Sequence, residues 1–233
     1  MSTVYLVPNI LAEDALFTIP AYIIDCIKNC SIIFAENERT VRRFIKALDA
    51  SITIDQFEWH TIHKIESEQI IHFKSAIQSQ KNIAIISEAG CPGIADPGQQ
   101  LIAIAQKMNC IIKPLVGPSS ILLSLMASGL NGQQFEFVGY LPIDNTERIK
   151  KIKELESNSL KQQSTKIFIE TPYRNNQLLE TIVQHCAANT KICIGVDITG
   201  KQESIVTKTA KEWRINKPNL HKIPVIFLLL AER

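Results

Sequence analysis

Several features are scarce in this chain of 233 residues, and each scarcity excludes something. No C-x-x-C pair occurs among the six cysteines (Cys26, Cys30, Cys91, Cys110, Cys186, Cys193), which argues against a zinc ribbon or a redox pair. Cys26 and Cys30 stand four apart in an apolar-periodic stretch, so they read as reduced core thiols rather than disulfide partners. No metal is expected on this reading. Long apolar runs are missing too: the longest, residues 223–231, is too short to span a bilayer. No signal segment is evident, because the chain runs directly into the strand-like Thr3-Val-Tyr-Leu-Val7, and a cytoplasmic protein is expected. Neither sign of charge dominates, with a formal net charge of +2, so the overall field neither demands nor excludes a nucleic-acid partner. Aromatic residues make up 6%, too few for a broad base-stacking surface. Neither G-x-x-x-x-G-K-[ST] nor G-x-G-x-x-G is present, which argues against a nucleotide-phosphate cradle.

Glycine is also sparse, and its placement is uneven. Seven of the nine glycines and five of the ten prolines fall between residues 90 and 142. The centre of this region is Ser87-Glu-Ala-Gly-Cys-Pro-Gly-Ile-Ala-Asp-Pro-Gly98. It follows the apolar, β-branched run 82–86, which reads as a buried parallel strand, and precedes 99–108, which reads as a helix. Glycines allow a left-handed backbone and close approach, while prolines stiffen the loop. A strand, such a loop and a helix form a ligand-binding edge in α/β proteins. Leu115-Val-Gly-Pro-Ser-Ser120 repeats the strand–loop–helix logic, with a serine placed to cap the helix that follows.

Strand and helix signals alternate through the first half. Strands are predicted at 4–7, 31–35, near 53–59, at 82–86 and at 110–116; helices are predicted at 21–28, 38–48, 67–79 and 99–108. This alternation predicts a mostly parallel sheet covered by helices. The second half predicts helices at 119–128, 146–160, 175–186 and near Lys211. Its strands fall at 135–138, 166–170, 191–197, 203–208 and 223–230, and adjacent strands without a helix between them imply a mixed sheet. The fold class is therefore α/β in two domains, 1–116 and 117–233, with the loops lining a cleft between them.

The motifs resemble the tetrapyrrole methylase superfamily of S-adenosylmethionine-dependent methyltransferases. Within it, the likeness is to the bacterial branch that methylates a ribose 2′-hydroxyl of small-subunit ribosomal RNA. The family's Ser-Asp-Ala-Gly-Thr-Pro-x-Ile-Ser-Asp-Pro-Gly is matched by residues 87–98. Pro-Gly-Pro-Ser-Ala is matched by Val116-Gly-Pro-Ser-Ser120, followed by Ala127-Ser-Gly-Leu130. Phe137-Val-Gly-Tyr-Leu-Pro142, Ile169-Glu-Thr-Pro-Tyr-Arg174 and Pro224-Val-Ile226 match further motifs in order. There are departures. Pro8-Asn-Ile-Leu-Ala12 lacks the family's glycine, Ala35-Glu-Asn-Glu-Arg39 lacks its aspartate, and Trp59-His-Thr-Ile-His-Lys64 matches only loosely. The C-terminal extension of many members has no counterpart here.

The resemblance implies a homodimer that binds S-adenosylmethionine. It assigns cofactor contact to Glu88, Ala89, Gly90, Gly93, Ile94, Ser119, Ser120, Phe168, Ile169 and Pro224. A hydroxyl acceptor is scarcely ionised at neutral pH, so a carboxylate base accelerates transfer by about 10²–10⁴-fold. Glu36 is the first candidate, Glu170 the second and Asp96 the third. For Glu36 the competing role is a helix N-terminal charge, and for Glu170 an anchor paired with Arg174. An RNA acceptor requires phosphate-binding charge, and Arg39, Arg42, Arg43 and Lys46 supply it on helix 38–48. The basic residues of 146–161, among them Arg148, are interspersed with glutamates and read as solvated surface. A tetrapyrrole or other small-molecule acceptor is the alternative, and a non-catalytic cofactor-binding protein is a third reading.

Overall fold

The computed structural model describes residues 2–62 and 67–232. The chain forms two compact units, Met1–Ser119 and Ser120–Arg233.

In the first unit five strands, β1 (Thr3–Val7), β2 (Ile32–Ala35), β3 (Glu58–Thr61), β4 (Ile83–Ile86) and β5 (Ile111–Pro114), form one sheet in the order β3-β2-β4-β1-β5. Every pairing is parallel. The crossovers are α1 (Tyr22–Lys28), α2 (Glu38–Leu48), α3 (Ser67–Gln78) and α4 (Gln99–Lys107). Side-chain alternation along β4 explains why this run is apolar throughout: successive residues feed opposite cores. Ala84 and Ile86 join Ile23, Ile27, Val41, Phe44 and Ile45 on one face. Ile83 and Ile85 join Phe34, Phe73, Ile77 and Leu101 on the other. Cys30 packs into the first of these cores, and burial pushes its thiol up to about 12, which keeps it protonated. All six cysteines are free thiols.

The predicted strand near 53–59 is displaced. Residues Ile54–Gln56 form a 3-10 turn, and pairing with β2 starts only at Glu58. The N-cap of α2 follows from chemistry: Asn37 takes an extended backbone, and its side chain accepts the Thr40 N–H.

The second unit carries a sheet of β6 (Phe135–Tyr140), β7 (Thr165–Ile169), β8 (Lys191–Val196), β9 (Ser204–Thr209) and β10 (Val225–Leu230), ordered β6-β7-β10-β8-β9. Only β6 and β7 run parallel, so this sheet is mixed. Its helices are α5 (Ser120–Ser128), α6 (Asn145–Gln162), α7 (Asn175–His185) and α8 (Ala210–Ile215). Helix α8 is opened by a capping box, in which Thr209 and Glu212 satisfy each other's backbone N–H groups. Arg148 on α6 is a correction to the solvated-surface reading. It is 1% exposed, and its guanidinium donates to the Ile143 carbonyl and to Asn145 Oδ1.

Candidate cofactor and active site

In a parallel sheet all strands end at the same edge, so the loops after β1, β2, β4 and β5 in the first unit emerge together. The loop of residues 87–98 is fixed from three sides. From β1, Asn9 is fully buried, and its amide donates to the carbonyls of Ser87 and Glu88, both at 3.1 Å. Asn9 and Gly90 also exchange backbone N–H···O bonds of 2.9 and 3.1 Å. From β2, Glu36 Oε2 accepts the Glu88 N–H at 2.8 Å, and Asn37 Nδ2 donates to Glu88 Oε1 at 3.3 Å. From β5, the carbonyls of Gly117 and Pro118 face the Cys91 thiol at 3.9 and 3.5 Å. Gly117 itself lies so close to Pro8 that a Cβ there would sit 2.2 Å from the proline ring. Glycine is therefore required for the two loops to approach.

Inside the loop, Asp96 acts as an internal cap. Its carboxylate accepts the Gly93 N–H with both oxygens, at 3.0 and 2.9 Å, and the Gly98 N–H at 2.7 Å. Burial raises its pKa against the lowering effect of these amides, and the nearby Glu36 raises it further. Gly90, Gly93 and Ala95 have φ of 68°, 84° and 60°. At Gly93 the left-handed backbone is the requirement; a Cβ there would also meet the terminal methyl of Ile102 at 2.6 Å, which would have to shift.

The sequence candidates sort accordingly. Glu36, Glu88 and Asp96 come together at one sheet edge, with Ala89, Gly90, Gly93 and Ile94 in the same loop. Ile94 is 55% exposed and Val116 70%, so both neighbouring loops present apolar surface. Neither residues 87–98 nor residues 115–119 contain Lys or Arg. Ser119 ends the first unit and Ser120 begins the second.

In the second unit Phe168 is fully buried and stacks on Phe227 with ring centroids 6.0 Å apart. Its side chain therefore serves the core. Ile169 ends β7, and the register pairing it with Ile226 brings Pro224 to the same end of that strand. Glu170 follows, with Oε1 accepting from Thr171 N–H at 2.7 Å and from Arg174 Nη2 at 2.6 Å. Its other oxygen is buried and has no hydrogen-bond partner among the described residues.

The basic face of α2 also divides. Arg42 is bound to Glu38 at 2.7 Å and lies 4.5 Å above the Trp59 ring. Lys46 donates to the Ala50 carbonyl at 2.9 Å. Arg39 and Arg43 are exposed and carry no ion pair among the described residues. His63 and Lys64 of the loosely matched segment lie outside the described residues.

Asn9 and Asn37 are the residues that sequence reading missed. Both sit at positions where the chain departs from its family pattern. Their signal was available, since asparagine at a strand end is a turn- and cap-forming residue. At position 37 the amide does what the family's aspartate cannot: it caps α2 with its oxygen and donates to Glu88 with its nitrogen.

Known proteins are similar to this chain along most of its length. The family model described as Tetrapyrrole (Corrin/Porphyrin) Methylases matches residues 15–213. A Bacillus subtilis (strain 168) protein named ribosomal RNA small subunit methyltransferase I is 30% identical over 212 residues, covering 91% of this chain and 69% of that protein. The protein of the same name from Halalkalibacterium halodurans is 26% identical, covering 90% of this chain and 69% of its own length. The one from Mesorhizobium japonicum is 33% identical over 137 residues, covering 59% of this chain and 45% of its own length. Among solved structures, the crystal structure of the methyltransferase CobJ matches with a TM-score of 0.65 at 14% identity, covering 99% of this chain and 93% of that one.

Proposed function

The chain belongs to the tetrapyrrole (corrin/porphyrin) methylase family, and on that premise we propose that it is an S-adenosylmethionine-dependent methyltransferase acting on a ribose 2′-hydroxyl of small-subunit ribosomal RNA. The observation that carries this reading is the similarity, along nine-tenths of the chain, to proteins named for small-subunit rRNA methylation. The likeness to CobJ, at 14% identity, speaks to fold and not to acceptor. A tetrapyrrole acceptor is therefore the weaker reading. The homodimer and the ribosome-containing compartment that the resemblance implies belong to the same proposal.

The residues present suit the cofactor. Carboxylates and apolar side chains without a lysine or arginine favour a cationic, partly apolar ligand over a polyphosphate. Glu88, Ala89, Gly90, Ile94 and Ser119 are the first-unit residues proposed to hold it; Ser120, Ile169 and Pro224 of the second unit are assigned to it by the family resemblance alone. Gly93 and Asp96 shape the loop, and Phe168 supports β7 from within. When bound, the cofactor supplies an electrophilic sulfonium methyl group.

Glu36 is the proposed general base. Its Oε2 is held by the Glu88 amide, which orients the carboxylate, and Oε1 has no hydrogen bond among the described residues and is left to accept the hydroxyl proton. Asp96 is a poor candidate because both its oxygens are committed to loop amides. Arg39 and Arg43 are proposed to meet RNA phosphates beside this base. Isothermal titration with S-adenosylhomocysteine tests the cofactor part. One site per chain is expected, weakened by mutation of the 87–98 loop, and absence of heat at millimolar ligand defeats the proposal.

A further inference from the structure

A second cluster of ligating side chains lies in the first unit, on the edge strand β3 and the helix that crosses it. Residues 58 and 60 are two apart on a strand, so they point to the same face. Helix α3 brings His72 over that face. One ligand atom each from Glu58, His60 and His72 lies within 4.8 Å of the other two. The arrangement is supported from beneath. His60 stacks on Phe34 with centroids 4.8 Å apart, and Phe34 meets Phe73 edge-on at 5.2 Å. The His60 and His72 rings stack at 4.7 Å. His60 Nε2 and Glu58 Oε1 are 2.9 Å apart, while Lys81 Nζ occupies Glu58 Oε2 at 3.1 Å. One turn earlier on α3, Glu68 Oε1 lies 3.6 Å from His72 Nε2, beyond hydrogen-bond distance.

We propose that Glu58, His60 and His72 bind one divalent transition-metal ion of the zinc type, fastening β3 to α3. Two imidazoles and a carboxylate are the donors such ions take, whereas magnesium and calcium prefer oxygen alone. Bonds of about 2.0–2.1 Å place tetrahedral ligand atoms roughly 3.3 Å apart. The Glu58–His60 pair is already near that spacing; an imidazole lone pair lies in the ring plane, so the His72 ring must rotate out of its stack on His60 as its nitrogen moves inward by about 1.5 Å or less. Lys81 keeps Oε2 and leaves Oε1 for single-oxygen coordination. The ion takes the position of the His60 Nε2 proton, and the neutral ring carries its proton on Nδ1 instead. Three protein ligands leave the fourth position to water. Clamping β3 also protects the exposed edge of the sheet. The expectation that this chain binds no metal rests on its cysteines; this site uses none of them.

The test uses the full untagged chain after chelator treatment, titrated with zinc chloride and separately with cobalt chloride. One ion per chain is expected, with Kd of roughly 10 μM or tighter, a higher melting temperature, and reversal by chelator. The His72 side chain is 45% exposed, so His72→Gln is expected to fold, and it should weaken zinc binding at least about tenfold. Cobalt should give a tetrahedral absorption band without sulfur-to-metal charge transfer. No zinc uptake at millimolar ion, unchanged uptake by His72→Gln, or a thiolate charge-transfer band would each overturn the proposal.

Discussion

Replacing Asn9 tests whether the 87–98 loop is held by the buried amide of that residue. Its side chain makes three hydrogen bonds: two donated to the Ser87 and Glu88 carbonyls at 3.1 Å, and one accepted from the Ile10 N–H at 2.8 Å. Each contributes about 1 kcal/mol net, and buried partners left unpaired cost about 1–3 kcal/mol. Asn9→Ala is therefore expected to destabilise the first unit by about 3–4 kcal/mol, lowering its Tm by roughly 10 °C. Asn9→Asp is the sharper probe. It keeps the size and the acceptor for Ile10 but sets a carboxylate oxygen against two carbonyl oxygens. At neutral pH it should cost at least as much as the alanine, and it should recover on acidification, when the protonated carboxyl donates again. Urea unfolding followed by Trp59 fluorescence in a Trp213→Phe background reads the first unit alone, since these are the two tryptophans. Affinity for S-adenosylhomocysteine should fall at least about tenfold in both variants. If Asn9→Asp unfolds at neutral pH within about 1 kcal/mol of the parent, the two-carbonyl clamp is not what positions the loop.

Gly117→Ala drives a methyl into the Pro8 ring, and because neither partner is flexible it should cost about 2 kcal/mol or more in unfolding experiments and weaken cofactor binding. Arg39→Ala and Arg43→Ala should each reduce the salt slope of RNA binding by about 1 without changing stability. Arg42→Ala should instead lower Tm, because it removes the Glu38 pair and the contact with Trp59. Asp96 has its pKa raised in the folded chain, so its contribution to stability is greatest below the unfolded value near 3.8 and is lost as pH rises through the folded value. Asp96→Asn should abolish that step, so a plot of unfolding free energy against acid pH should be flatter for the variant than for the parent.

Much of the fold was legible because burial leaves a strong signature. The β-branched run 83–86 must be apolar on both faces, and the 38–48 helix carries its core face as Val41, Phe44 and Ile45. Strand β3 was less legible. It is a short edge strand whose side chains are exposed or only half-buried, and Ile54 imitates its start from within a 3-10 turn. Site residues divided in the same way. The glycine-rich loops announced themselves through backbone demands. Phe168 did not reveal that its ring faces the core, since a motif position does not say which way a strand side chain points. The Glu58–His60–His72 cluster joins a strand to a helix across residues of no shared motif, so only the folded chain brings it together.

The central claim is methyl transfer to ribose in the small ribosomal subunit. It is tested most directly by incubating the purified chain with labelled S-adenosylmethionine and unmodified small subunits, then mapping ribose methylation along the rRNA. The account predicts label at a discrete 2′-oxygen, lost by about 10²-fold or more in Glu36→Gln with cofactor affinity retained. Label on a base, label only on small molecules, or an unlabelled rRNA with cofactor bound would contradict it.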